Sequence, residues 1–391
     1  MVMRNVLSSL NQKLLRDVWR MRAQILAIAA VVAAGTAVFV MMNGVERSLE
    51  ETRAAYYESH RFADLFAPVK RAPEHLVGRL RELSGVVAVE TRITGHALID
   101  MAGEAAPITA SVVSVPNEHR PLINDLYLTG GRWVEPDFPD EAILSTDFLQ
   151  YHDLEIGDRL NVTLNGIRRS LHIVGTALSP EFVYPIPPGE IVPDEQRFAV
   201  IWMARRALAT AYDLDGAFNE VVLRSILATD GEALIGLLDR LLEPYGATGA
   251  YDRTEQTSNR FLDNELDQLR TLGRLVPFIF FVVSAFLLNV TIQRIVETDR
   301  EQIGLLKAFG YQDGTIAWQY VKFALAVVAI GLLAGWAAGT MMGRGLASIY
   351  TEFFKFPSLL FRPGLGGYAF SAVMASVAAG AGGIFGARAR P

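Results

Sequence analysis

The sequence predicts an α-helical membrane protein with four transmembrane helices and an α+β extracytoplasmic domain between helices 1 and 2. Three observations predict it. Apolar residues make up 51% of the chain and 20% are charged, while mean hydropathy is positive at +0.25, as expected of a membrane part joined to a water-exposed part. The runs 23–45, 275–293, 323–343 and 363–387 carry no charge and are long enough to span a bilayer. Between the first two, residues 46–274 contain no such run and alternate in the manner of strands and short helices.

Residues 1–22 carry Arg4, Lys13, Arg16, Arg20 and Arg22 against a single acid, Asp17, and Leu7, Leu10, Leu14, Val18 and Met21 recur at helical spacing. This predicts a basic amphipathic helix on the cytoplasmic membrane surface; the other reading is the n-region of a signal peptide. The run 23–45 is long for a signal h-region. Glu46-Arg47 follows it in place of a small-x-small cleavage site, so it reads as an uncleaved first span.

In the domain, residues 46–62 and 254–274 are charged and helix-compatible, and are expected to extend spans one and two as a stalk. Residues 73–83 read as a helix, and 86–99 and 108–115 as strands. Residues 154–167 read as a hairpin turning at Asn165-Gly166, with 169–175 as its returning strand. A strand over 220–224 precedes a helix over 231–242. The sum is an α+β domain with a small all-β insertion near 126–180 and an extended Pro-rich connection over 179–193.

The second span carries Pro277 in its first turns, where a missing N–H costs least. The third places Gly331, Gly335, Gly339 and Gly343 every fourth residue, so one face is bare and another helix backbone can approach closely. Ser371, Ala375, Ala379, Gly383 and Ala387 form a matching small ridge on the fourth. A moving helix interface and static tight packing both fit this pattern. The loop 344–362 holds Tyr350, Phe353, Phe354, Phe356 and Phe361, which suit the headgroup interface.

Lys and Arg in the short segments set the orientation. The N-terminal segment, the loop 294–322 (Arg294, Arg300, Lys307, Lys322) and the tail (Arg388, Arg390) outweigh Arg344, Lys355 and Arg362 on the opposite side. Both termini and the 294–322 loop are therefore expected in the cytoplasm, and the large domain outside.

That loop contains a charged, helix-prone stretch between two apolar runs. Ile303, Leu306 and Gly310 fall at i, i+3 and i+7 on one face, and Gly310 followed by Tyr311-Gln312-Asp313-Gly314 reads as a helix C-terminus with turn chemistry. A short amphipathic helix held there is placed to dock on something at the membrane face, or is an ordinary solvated loop helix. The stretch Arg300-Glu301-Gln302-Ile303-Gly304-Leu305-Leu306-Lys307-Ala308-Phe309-Gly310, with Ile316 a few residues on, resembles the coupling loop of the FtsX-like or MacB-type permeases of ABC systems. That family includes lipoprotein-releasing and macrolide-exporting permeases, and its layout resembles that of the whole chain. Lys322 departs from the pattern, in which an acidic residue often enters the next span.

The resemblance implies a MacB-type periplasmic core and a permease subunit in the bacterial inner membrane. It implies ATPase coupling through Glu301, Gln302, Ile303, Gly304, Leu306, Lys307 and Gly310. The partners it implies are a cytoplasmic ABC ATPase dimer, a second permease half in a homo- or heterodimer, the bilayer, and in some relatives an extracytoplasmic protein. The alternative is a membrane-anchored sensor, regulator or assembly protein, including control of a cell-wall enzyme.

Other chemistry is not supported by the sequence. It contains no G-x-x-x-x-G-K-[ST], so this chain is not expected to bind ATP by a P-loop; the resemblance implies ATP on a separate subunit and no cofactor on this one. The histidines (His60, His75, His96, His119, His152 and His172) are scattered through the domain without metal-ligand spacing. No G-x-S-x-G elbow marks a serine hydrolase, there is no cysteine, and a net charge of −6 gives no reason to propose nucleic acid.

Overall fold

The computed structural model describes residues 21–101, 107–187, 189, 190, 192–194, 196–226 and 231–388. Apart from its last two residues, the helix expected over 1–22 lies outside them. In chain order the elements begin with α1 (Arg22–Ser59), β1 (Leu65–Pro73), α2 (Leu76–Arg81), β2 (Val86–Arg92), β3 (Thr94–Asp100), β4 (Ile108–Val115) and β5 (Tyr127–Gly131). They continue with β6 (Glu141–Ser145), α3 (Thr146–Tyr151), β7 (Arg159–Leu164), β8 (Ile167–Leu178), β9 (Phe198–Ala204), α4 (Arg205–Tyr212) and β10 (Ala217–Ser225). The last are α5 (Gly231–Leu242), β11 (Tyr251–Asp252), α6 (Thr257–Thr298), α7 (Arg300–Ala308), α8 (Asp313–Phe353) and α9 (Leu365–Arg388).

Helices α1, α6, α8 and α9 are long and apolar enough to cross a membrane, and the α+β domain lies between the first and second of them in sequence. Two compact units result: a helical unit of Met1–Glu50, Leu266–Ile349 and Leu359–Pro391, and an α+β unit of Glu51–Glu265 with Tyr350–Ser358.

Among the described residues the helical unit has an apolar core shared by its four long helices. Ile25, Ile28, Ala29 and Val32 of α1 meet Leu288, Ile292 and Ile295 of α6, Ala324, Val327 and Val328 of α8, and Ala375 and Ala379 of α9. On each helix these positions recur at three- and four-residue spacing, which places them on one face. Both α1 and α6 run without a break past the uncharged stretches.

The α+β unit has two sheets. The smaller has the antiparallel order β11-β1-β10-β2. Leu76 and Leu80 of α2 and Leu234, Leu238 and Leu242 of α5 share its core with Leu65, Ala67, Phe218, Val221 and Leu223. The larger has the order β5-β8-β6-β9-β4-β3-β7, and a further β7–β8 pairing closes β8, β6, β9, β4, β3 and β7 into a ring. Ile99, Ala110, Val112, Leu144, Val162, Ile173 and Ile201 share its buried core. Asn165 and Gly166 turn the β7–β8 hairpin with φ of 46° and 79°, the paired left-handed geometry that an Asn-Gly turn supplies.

Three expectations need correction. The strand expected over 86–99 is two strands in different sheets: Arg92 ends the pairing of β2 with Glu220, and Thr94 starts the pairing of β3 with Val113. Ile93, buried between them, exchanges hydrogen bonds with Ser114, whose Oγ accepts its N–H at 2.9 Å. The all-β part also reaches beyond 126–180, because β4 pairs in parallel with β9 and β3 pairs antiparallel with β7, long-range pairings that local alternation does not reveal. The aromatic loop 344–362 is partly helix, since α8 continues to Phe353. Beyond it, Phe354 and Phe356 are buried at 5% and 9% exposure inside the α+β unit rather than held for headgroups. Phe354 packs on Tyr184 at 5.1 Å, and the Lys355 ammonium reaches Asp147 at 3.4 Å.

A buried ionic knot joins parts of the α+β unit. The Arg92 guanidinium donates to both oxygens of Glu181 and to Glu220 Oε2, each at 2.6 Å. Asn124 Nδ2 donates to Glu181 at 3.0 Å while its Oδ1 accepts the Ala63 N–H at 2.7 Å. Burial drives the Glu220 carboxyl above its ordinary range against the pull of Arg92, and the Glu181 charge adds to the rise.

Candidate functional site

The glycine face of α8 is filled by α1 of the same chain. A Cβ built on Gly331 would stand 2.8 Å from the Ala29 carbonyl oxygen, one on Gly335 2.8 Å from that of Ala33, and one on Gly339 2.7 Å from that of Ala37. The three carbonyls are four residues apart, matching the glycine spacing, so backbone meets backbone along two turns of each helix. Gly343 lies under the Phe361 ring. On α9, Ser371, Ala375 and Ala379 are buried, and Ser371 Oγ accepts the Trp336 indole N–H at 3.0 Å. The side-chain environment of Gly383 lies outside the described residues. Its neighbour Gly382 lies against the Ala285 carbonyl of α6.

Along the charged continuation of the spans, α1 and α6 exchange ion pairs. Arg270 of α6 donates to Glu46 at 2.8 Å and reaches Glu50 at 3.5 Å, both on α1. In the α+β unit, Arg53 of α1 pairs with Asp263 of α6.

The segment between α6 and α8 folds as α7, a helix of two turns. Its C-terminus is closed by Gly310 at φ 88°, whose N–H bonds the Lys307 carbonyl at 2.9 Å, and Phe309 N–H bonds Leu305 at 3.1 Å. Gln312 then accepts from the N–H groups of Thr315 and Ile316 at the start of α8. Glu301, Gln302, Gly304, Lys307 and Gly310 are exposed, whereas Ile303 is half-buried. The Leu306 side chain lies outside the described set.

Sequence reasoning missed the two most exposed apolar side chains here, Leu305 at 62% and Phe309 at 75%. They are one helical turn apart and form a second stripe with spacing as regular as that of Ile303, Leu306 and Gly310. Tyr311 and Trp318, at 40% and 54% exposure, extend the apolar character past the turn. Among the described residues no group of His, Cys, Asp or Glu could hold a metal ion. The described residues of this segment present an apolar ridge with a charged border.

Residues 274–390 match the family model described as FtsX-like permease C-terminal. That stretch of the chain is similar to the C-terminal part of FtsX-like permeases. The matched part takes in all of the second uncharged run, α7, α8 and α9. Solved structures similar to the chain include the extracellular domain of the noncanonic ABC-type transporter YknZ from Gram-positive bacteria. That match has 13% identity and a TM-score of 0.33, covering 49% of this chain and 98% of that one. Another is the periplasmic region of MacB from Actinobacillus actinomycetemcomitans, at 8% identity and a TM-score of 0.32, covering 54% and 95%. A third is a domain of a putative permease protein from Porphyromonas gingivalis, at 11% identity and a TM-score of 0.27, covering 52% and 96%. No curated protein matches the chain.

Proposed function

We propose that this chain is the permease subunit of an ABC transporter and transmits the motion of a separate ATPase dimer to its α+β domain. The observation that carries the proposal is the exposed Leu305–Phe309 ridge on α7, within the FtsX-like part and between the ends of two long helices. An apolar pair this open is matched by a cleft on a partner, with Glu301 and Lys307 at the polar rim. Displacement of α7 is passed to α6, which runs unbroken back to Thr257, and the ion pairs of Arg270 and Arg53 bind α6 to α1. ATP is bound by the partner, and a second permease half completes the assembly. Both termini and α7 are cytoplasmic, and the α+β domain acts outside on a lipid-like, lipoprotein, peptide or drug substrate.

The test is co-purification of the ATPase with variants of α7, followed by hydrolysis assays in lipid. Phe309→Asp and Leu305→Asp should each weaken association by about 2 kcal/mol or more, the usual loss for an interface anchor. Lys307→Ala should cost about 0–1 kcal/mol, as for exposed charge pairs. Normal association and coupled turnover in Phe309→Asp would leave α7 a solvated loop helix and remove the basis for coupling.

A further inference from the structure

An apolar groove of about 550 Å3 opens between α1, α6 and α9 within the helical unit, walled by Phe39, Phe278, Phe281, Phe370 and Met374. Phe39 and Phe370 stack at 5.4 Å with an interplanar angle of 27°. The polar side chains of the lining are Thr271 and Arg274, one turn apart on α6 where its charged stretch gives way to the uncharged run.

Arg274 differs from other arginines of α1 and α6. Arg270, one turn earlier, is held by Glu46 and Glu50, and Arg53 by Asp263. Arg274 is exposed and makes no hydrogen bond or ion pair with any described residue. A guanidinium left unpaired at the end of an apolar groove, at the boundary of a span, is complementary to an amphiphile with an anionic head: acyl chain along the aromatic wall, phosphate on the fork of nitrogens. A free phosphate would leave the apolar wall uncovered.

We propose that this groove is a binding site for an anionic phospholipid from the surrounding leaflet, with Arg274 and Thr271 holding the head and the Phe39–Phe370 stack forming the wall for the chain. The full-length chain is placed in nanodiscs of phosphatidylcholine with or without phosphatidylglycerol, and the lipids retained on release are counted by native mass spectrometry. The parent should retain phosphatidylglycerol in preference to phosphatidylcholine, and Arg274→Gln should reduce that preference about fivefold, the effect of one interfacial arginine. Phe278→Ala, which lowers the wall, should reduce retention of both lipids while leaving the preference unchanged. Arg344→Gln, an exposed arginine on α8 away from the groove, should match the parent. Equal retention of the two lipids by the parent, or equal losses in Arg274→Gln and Arg344→Gln, would overturn the site. So would disulfide capture of a second copy by a Phe278→Cys variant with no lipid retained. No ATPase takes part, so the outcome is independent of the coupling proposal.

Discussion

Gly335 on α8 faces Thr36 on α1 so closely that a Cβ built on the glycine would stand 2.6 Å from the threonine Cβ. Real Cβ atoms do not approach to that distance, so any larger residue must push α1 and α8 apart. Gly335→Leu should therefore destabilise the helical unit by about 1–3 kcal/mol, the range for overpacking a close contact. Gly345→Leu, on the same helix with open space at its Cβ, is the control and should be neutral. Thermal unfolding in detergent distinguishes them; matching transitions for the two variants would show that α1 does not seat on the glycines.

Arg92, Glu181 and Glu220 should behave as a unit. Removing the Arg92 guanidinium leaves Glu181 and Glu220 buried without it, and Arg92→Met should cost about 3–5 kcal/mol, as for a broken buried pair. Glu181→Gln should cost more than Glu220→Gln, because Glu181 takes two bonds from Arg92 and one from Asn124. Equal losses in the two glutamine variants, measured by chemical unfolding, would contradict the unequal roles.

The same knot sets a pH dependence. The folded Glu220 carboxyl is held above its ordinary value of 4.5, first by burial and then by the Glu181 charge, with Arg92 opposing. A carboxyl raised on folding binds more protons in the native state, so its contribution to stability is full below about 4.5 and is lost as pH rises through the raised value. Glu220→Gln should flatten that decline. Unfolding midpoints across this acid range check it, and an unchanged slope in the variant would show that Glu220 is not its source.

Phe354 should matter to the α+β unit although it follows the third span in sequence. It is buried between Tyr184 and Tyr350, at 5.1 and 5.9 Å, and the next residue donates its N–H to the Val183 carbonyl at 2.7 Å. Phe354→Ala should cost about 3–5 kcal/mol and expose 350–358 to protease. Unchanged cleavage kinetics would place the segment outside the fold of that unit.

The spans, the hairpin at Asn165-Gly166, the helix α5 and the C-cap at Gly310 were legible because each is written in adjacent residues: an uncharged run, a turn pair, a 3.6-residue period, a left-handed glycine. The ring closed by β7 and β8 and the parallel β4–β9 pair were not, since neither strand of a parallel pair marks its partner. On α7 the difficulty was different. Two stripes obey the same period, and only packing against the rest of the molecule determines that Ile303 is half-buried while Leu305 and Phe309 stay open. The glycine spacing of α8 announced a close helix neighbour, and packing of the folded chain makes it α1.

Orientation can be tested directly because the chain has no cysteine, so each introduced thiol is unique. Arg79 on α2 and Glu155 before β7 are exposed in the α+β unit, and Gln312 is exposed between α7 and α8. The Lys and Arg of the N-terminal segment and of the α6–α8 connection favour the cytoplasmic side, while a long domain crosses largely regardless of its charge. In intact cells an impermeant maleimide should label Arg79→Cys and Glu155→Cys, and should reach Gln312→Cys only after the membrane is opened. Unequal labelling of the two domain positions would mean that the domain is not wholly on one side. Labelling of Gln312→Cys in closed cells would place α7 outside, where no cytoplasmic ATPase could reach Leu305 and Phe309.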